Sequence, residues 1–241
     1  MSKQVNPYND TQGKTEQVRQ MFNNIAGNYD FLNHFLSFGV DVYWRKQAIK
    51  RLQPLENAKV LDLATGTGDL AIMLAKRGAT VQAIDLSTEM MEKGKTKAAK
   101  QEMEDKIFFN TGDASELTFA DKEFDAVTVA FGVRNFEKLQ QSLKEMHRVL
   151  REHGQVLVLE FSRPNNAFVR ILYNFYNFKV LPFFGRLVSK DKRAYEYLPE
   201  SISQFKSGQD FAVELENAGF SEVSFATLSC GIVTVYCARK Q

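Results

Sequence analysis

At 241 residues and 44% apolar content, the chain has the length of one large domain, or of one domain with a modest cap, and enough apolar side chains to fill its core. That excludes a disordered tail protein and a small disulfide scaffold. Thirty-one Lys and Arg against twenty-nine Asp and Glu leave only +2, so no global field draws nucleic acid or an anionic membrane; nucleic acid is not an expected partner and any membrane contact must be local.

The polar start MSKQVNPYNDTQGK lacks the apolar run of a signal peptide, and no uncharged apolar stretch reaches the roughly 18 residues of a membrane span. The expectation is a cytoplasmic protein, at most peripheral at the inner membrane face. Val18, Met21, Phe22 and Ile25 then fall at i, i+3, i+4 and i+7, the stripe of an amphipathic helix. Beyond Pro54, short β-branched runs alternate with helical stretches: strands at 60–64, 80–84, 107–110, 125–131 and 155–161, with helices over Asp69 to Lys76, Thr88 to Met103 (capped by Ser87) and Leu139 to Leu150. Such βαβ units predict a mostly parallel sheet covered on both faces. A helix over Gln209 to Ala218 precedes two alternating runs that turn at Cys230-Gly231, an antiparallel hairpin at the end of the sheet. The two cysteines, Cys230 and Cys237, have no partner cluster, which predicts free thiols and supports neither a disulfide framework nor a metal site. The layout is that of a class I S-adenosylmethionine (SAM)-dependent methyltransferase, Rossmann-like and seven-stranded. It reads as one domain: an N-terminal helical segment (1–55), a cofactor core (56–162), a cap insertion (163–205), and a final helix and hairpin (206–241).

The strand VLDLA runs into Thr65-Gly66-Thr67-Gly68-Asp69 and then a helix, so backbone N–H groups stand unshielded at a helix N-terminus, ready to cradle a nucleotide. Gly66-x-Gly68-x-x-Ala71 satisfies the loose dinucleotide fingerprint, and Asp85, ending the next strand, is placed to accept from ribose hydroxyls. Spacing alone leaves NAD and SAM both open. Charge separates them. NAD brings a pyrophosphate, whereas SAM brings a cationic sulfonium and ammonium, and the carboxylates Asp62 and Asp69 suit the latter. Asp113, with Ala114 beside it, follows the third strand and is placed to receive an adenine amino group.

Tyr29-Asp30-x-x-Asn33, Leu36-Ser37-x-Gly39 and Trp44 resemble the N-terminal signature of the ubiquinone/menaquinone biosynthesis C-methyltransferases, of the demethylmenaquinone methyltransferase type. The likeness continues through LDLATGTGDL, Phe131-Gly132-Val133-Arg134-Asn135, Arg148-Val149-Leu150, Leu159-Glu160-Phe161-Ser162 and Tyr195-Glu196-Tyr197-Leu198-Pro199-Glu200-Ser201-Ile202. Leu32 and Asp41 stand where that pattern has Met and His, and Arg151-Glu152-His153 replaces a Lys-Pro-Gly turn. The resemblance implies SAM as cofactor, bound by Thr67, Asp85, Asp113 and Ala114 together with Asp62, Gly66 and Gly68, with the backbone near Ala130 passing under it. It also implies C-methylation of a polyprenyl quinol ring, demethylmenaquinol to menaquinol. The same chemistry on 2-methoxy-6-polyprenyl-1,4-benzoquinol in ubiquinone synthesis is the alternative.

Methylating a quinol carbon requires the phenolate, whose charge delocalises onto the ortho carbon. The protein must therefore orient the two reactants and favour the anion. Arg134, past the fourth strand at the carboxyl edge of the sheet, is the first expected catalytic group: always protonated, it stabilises the phenolate rather than acting as a base. Asp30 is a second, as a proton relay. Tyr29, Asn135, Tyr195 and Tyr197 are expected on the substrate side, while His34, His147 and His153 have no expected role. The run 168–184 carries most of the aromatic excess, with Arg170, Lys179, Arg186, Lys190, Lys192 and Arg193 near it. Peripheral membrane contact, a lid over the isoprenoid tail, ordinary cap packing and a homodimer interface all fit that composition.

Overall fold

The computed structural model describes residues 5–8, 10–30, 34, 37–52, 54–180 and 191–241. Helix α1 (Lys14–Ile25) and a 3₁₀ turn at Ala26–Asn28 lead to α2 (Val40–Ile49). The alternating core follows: β1 (Lys59–Leu63), α3 (Asp69–Ala75), β2 (Thr80–Asp85), α4 (Thr88–Ala99), β3 (Ile107–Thr111), β4 (Phe124–Ala130), α5 (Leu139–Val149) and β5 (Leu150–Phe161). Then come α6 (Ala167–Phe175), which continues as a π turn over Tyr176–Val180, α7 (Lys192–Gln204), α8 (Gln209–Asn217), β6 (Ser221–Leu228) and β7 (Val233–Arg239).

The strands form one seven-stranded sheet in the order β3-β2-β1-β4-β5-β7-β6; β7 runs antiparallel to both neighbours and the other pairs are parallel. Period-two alternation drives this arrangement. In β1, Leu61 and Leu63 join the core on one face of the sheet and Val60 the other; in β5, Val156 and Val158 oppose Leu157 and Leu159 in the same way. Strand order reverses between β1 and β4, which opens a crevice at their carboxyl ends, where open α/β sheets bind ligands.

Local chemistry fixes the boundaries. The Ser87 hydroxyl accepts from Met90 N–H at 3.2 Å and caps α4. That helix stops four residues before the expected Met103, because Met103 N–H turns back onto the Ala98 carbonyl while Glu102 takes φ 57°. At β5 the expected turn at 151–153 is instead a bulge in the ladder, its register shifting between Phe124 and Ala126, and His153 N–H donates to the Lys240 carbonyl. The cap insertion 163–205 contains, among its described residues, α6 with its π turn and α7. Expectations for Leu32, Asn33, Leu36, Pro182, Phe183, Phe184, Arg186 and Lys190 lie outside the described residues.

Candidate active site

The β1–α3 loop is tied from below and from the side. Asp62, 1% exposed, accepts from the Thr65 and Thr128 hydroxyls at 2.6 Å each, and burial pushes its carboxyl up to about 6. Asp62, expected at the cofactor, braces the loop from inside the core and is not among the residues lining the cleft beside Asp85, because both faces of β1 are covered. Thr67 and Gly68 are likewise not among the residues lining that cleft. The Thr67 hydroxyl donates to Asp30 and accepts from Lys97 Nζ, while Gly68 starts α3 at φ 78°, where a Cβ would lie 2.9 Å from the Phe109 ring.

The loop backbone and Asp85 face the ligand side. Asp85 accepts from Gly66 N–H through one oxygen and from Ser87 N–H through the other, both at 2.8 Å. Burial raises its pKa, and the backbone hydrogen bonds oppose that shift. A carboxylate has about four acceptor sites, so capacity remains for a further donor. Beside it opens a cleft of about 730 Å³ whose lining includes Gly66, Asp85, Leu86, Met90, Asp113, Ala114, Ala130, Asn135 and Tyr29. Asp113 accepts from Ser115 N–H at 2.8 Å, which orients its carboxylate.

These residues fit SAM: a half-buried acid ends β2 at the cleft, apolar walls flank it, and Asp113 lines the same cleft. The charge argument survives with different residues. Among the described lining residues are three acids, Asp85, Asp113 and Glu137, and neither Lys nor Arg, a surrounding hostile to a pyrophosphate and favourable to a sulfonium. Asp69 lies outside it, bound to Lys97 at 2.7 Å. A Tyr-x-x-x-Lys spacing like that of short-chain dehydrogenases occurs at Tyr236–Lys240, away from both clefts and committed to backbone contacts. Tyr236 accepts from Gly208 N–H, and Lys240 Nζ donates to the carbonyls of His147, Arg148 and Leu150.

A second cleft of about 770 Å³ shares Phe22, Tyr29 and Phe131 with the first. Trp44, Phe161, Tyr195, Tyr197 and Arg134 line it. Arg134 Nη1 donates to Glu160 Oε1 at 2.8 Å and to the Phe131 carbonyl, and Nε donates to Ser201 Oγ at 3.3 Å. Nη2 makes no hydrogen bond among the described residues. The guanidinium is therefore clamped on one side, with a donor left on the cleft wall. Glu160 is wholly buried, and its other oxygen accepts from Arg134 N–H. Tyr197 donates to Asn135 Oδ1 at 3.1 Å, and burial pushes its phenol up to about 12, so it stays a donor. Asp30 lines neither cleft: it pairs with Lys97 at 2.6 Å and accepts from Thr67, a latch between the N-terminal segment and the cofactor loop.

Two of these groups were missed in the sequence. Glu160 carried a signal, an acid inside the apolar run QVLVLEF; Lys97, midway along a polar helix, carried none. His34 and Asp41 also come together at 3.0 Å with Asp69 nearby, but Arg45 already pairs with Asp41 at 2.6 Å and Lys97 with Asp69, so the charge there is balanced.

The sheet order, the glycine loop and the acidic cleft define a class I SAM-dependent methyltransferase. A SAM-dependent methyltransferase from Thermotoga maritima has the same fold at TM-score 0.66 and 19% identity, covering 92% of this chain and 99% of the other. A Haemonchus contortus phosphoethanolamine N-methyltransferase solved with SAM matches at TM-score 0.66 and 14% identity, covering 91% of this chain and 60% of the other. The chain belongs to the ubiE/COQ5 methyltransferase family, whose profile matches residues 10–240. It is similar to demethylmenaquinone methyltransferase of Bacteroides fragilis, at 44% identity across 98% of this chain and 97% of that one. It also resembles the ubiquinone/menaquinone biosynthesis C-methyltransferase UbiE of Geotalea daltonii, at 43% identity across 94% and 97%.

Proposed function

We propose that the chain methylates a ring carbon of demethylmenaquinol, and that Arg134 is the group favouring the anion. The observation that supports this reading is the second cleft: apolar and aromatic, continuous with the cofactor cleft through Tyr29 and Phe131, with one clamped guanidinium on its wall. The Bacteroides fragilis and Porphyromonas gingivalis relatives, each 44% identical, both bear the demethylmenaquinone name.

SAM supplies an electrophilic methyl group. The chain supplies the rest. Glu160, the Phe131 carbonyl and Ser201 hold Arg134 so that Nη2 donates to the ring oxygen, and the cation lowers the cost of the phenolate. Charge delocalised to the ortho carbon makes that carbon the nucleophile; as the new C–C bond forms the sulfonium C–S bond breaks, and the carbon's own hydrogen then leaves as a proton to solvent so that the ring regains aromaticity. Trp44, Phe131 and Phe161 pack against one another at centroid separations of 4.6–6.1 Å and exclude water from the ring. Tyr197 and Asn135 brace the wall between the clefts. Asp30, committed to Lys97 and Thr67, closes the N-terminal segment over the cofactor rather than moving a proton. Offering demethylmenaquinol and a polyprenyl methoxy-benzoquinol at equal concentration tests the choice of ring: the naphthoquinol is methylated preferentially, and preference for the benzoquinol overturns it.

A further inference from the structure

Helix α6 is built with two faces. Phe168, Ile171, Leu172 and Phe175 fall at i, i+3, i+4 and i+7, and all point outward, 69%, 67%, 55% and 62% exposed. No residue of the helix is buried. A stripe of four large apolar side chains facing solvent is the reverse of the usual amphipathic helix. On the opposite face, Arg170, Tyr173 and Asn174 line a groove of about 540 Å³ together with Arg163, Pro199, Ile202 and Ser203. Neither the Arg163 nor the Arg170 guanidinium makes an ion pair or hydrogen bond among the described residues.

The surrounding sequence is one-signed. Thirty residues separate Glu160 from Asp191 without a single acid, and they carry Arg163, Arg170, Lys179, Arg186 and Lys190. In a chain whose charges otherwise nearly cancel, this is the local basic field that the overall +2 conceals. That field also argues against a second copy of the chain. A two-fold contact through the apolar stripe would cover it but leave the Arg163 and Arg170 guanidiniums behind it with no acid to meet them. A membrane surface offers what both faces lack, acyl chains for the stripe and phosphates for the guanidiniums.

We infer that α6 is an in-plane anchor for an anionic phospholipid bilayer, with Arg163 and Arg170 forming a headgroup-phosphate groove behind its apolar face. A helix is about 10 Å across, and an interfacial helix sinks about 5–10 Å, so guanidiniums on the far side of α6 stand at the level of the phosphates when the stripe reaches the acyl boundary. The helix leads directly to the substrate cleft. Tyr176, in its π continuation, packs against the cluster of Met21, Ile25, Tyr195 and Tyr197 that walls that cleft. The anchor thus brings the cleft to a lipid-borne quinol, and in that purpose it rests on the function proposed above, while lipid binding itself is read without any quinol.

The test is sedimentation of the full chain with vesicles of phosphatidylcholine alone or mixed with phosphatidylglycerol, for wild type, Arg163→Gln/Arg170→Gln and Ile171→Glu/Phe175→Glu. Wild type should bind the mixed vesicles at least tenfold more tightly, and salt should weaken it. At about a fivefold effect per basic residue near an anionic surface, the arginine pair is worth roughly twentyfold to thirtyfold on mixed vesicles, with little change on neutral ones. The glutamate pair should abolish binding to both. Melting temperature and methyl transfer to a short-tailed, water-soluble quinol should be unchanged in both variants, since neither touches the clefts. Equal binding to the two vesicle types, or wild-type binding by the variants, overturns the inference. So does a wild-type dimer that the glutamate pair splits, which would make the face a subunit contact. Vesicle binding without any quinol methylation overturns the proposed function and leaves the anchor standing.

Discussion

Arg134→Lys keeps a cation at the wall of the substrate cleft and removes the planar fork. In the wild type, Nη1 serves both Glu160 and the Phe131 carbonyl, Nε serves Ser201, and Nη2 remains for the substrate. A lysine ammonium cannot do all of these from one position. If it stays with the buried Glu160, which must not be left as an unpaired charge, the ring oxygen loses its donor. Stability should fall through the loss of one or two charge-assisted hydrogen bonds, roughly 1.5–3 kcal/mol each. That is about 3 kcal/mol for the variant, or about 6–12 °C in melting temperature for a chain of this size. Turnover should fall further than stability explains: losing one preorganised donor typically costs about a hundredfold to a thousandfold, roughly 2.7–4 kcal/mol. SAM affinity should change less than about threefold, since Arg134 lies on the second cleft and not the first. Turnover, SAM affinity and melting are measured on one preparation, with turnover expressed per folded molecule. Near-normal turnover in folded Arg134→Lys protein would make the Glu160 pair purely structural and remove Arg134 from the chemistry.

Asp85→Ala should weaken SAM binding at least tenfold by calorimetry, at roughly 1.5–3 kcal/mol per lost charged hydrogen bond, while NADH binds neither protein; an unchanged dissociation constant would place Asp85 outside the pocket. Lys97→Met removes the ammonium shared by Asp30, Asp69 and Thr67, and should raise the KM for SAM several-fold with a small effect on kcat, with Lys97→Arg restoring it. A fall in kcat alone would contradict the latch. Asp62 gives a pH signature: its folded-state pKa of about 6 lies above the unfolded value of 3.8, so the folded state binds the proton more tightly and stability declines as pH rises between those values. Asp62→Asn should therefore gain on wild type by up to about 3 kcal/mol from pH 4 to pH 7, read from paired denaturant titrations, and a constant difference across that range would refute the assignment.

The parallel core was legible because β1, β2, β4 and β5 are apolar on both faces and two of the helices between them start at a recognisable cap, at Gly68 and Ser87. The cleft lining was legible where it depended on strand-end position, since Asp85 and Asp113 both line the cleft. Burial was less legible: Asp62 stands only three residues before Thr65, yet β1 is covered on both faces and holds it in the core. The Asp30–Lys97 latch joins residues far apart in sequence through a single ammonium, and no local pattern encodes such a contact. The cap resisted reading for a different reason. Sequence periodicity identifies a stripe but not what covers it, so the apolar run around α6 fitted a buried helix as well as the outward-facing one observed.

The destination of the methyl group is the most direct test of the proposed chemistry. Wild-type protein incubated with SAM carrying an isotopically labelled methyl group and with chemically reduced demethylmenaquinol should place one label on the ring carbon beside the phenol oxygen. The bond should survive oxidation to the quinone, with stoichiometric S-adenosylhomocysteine formed. Label on a quinol oxygen, or no transfer by folded protein that binds S-adenosylhomocysteine, would contradict it.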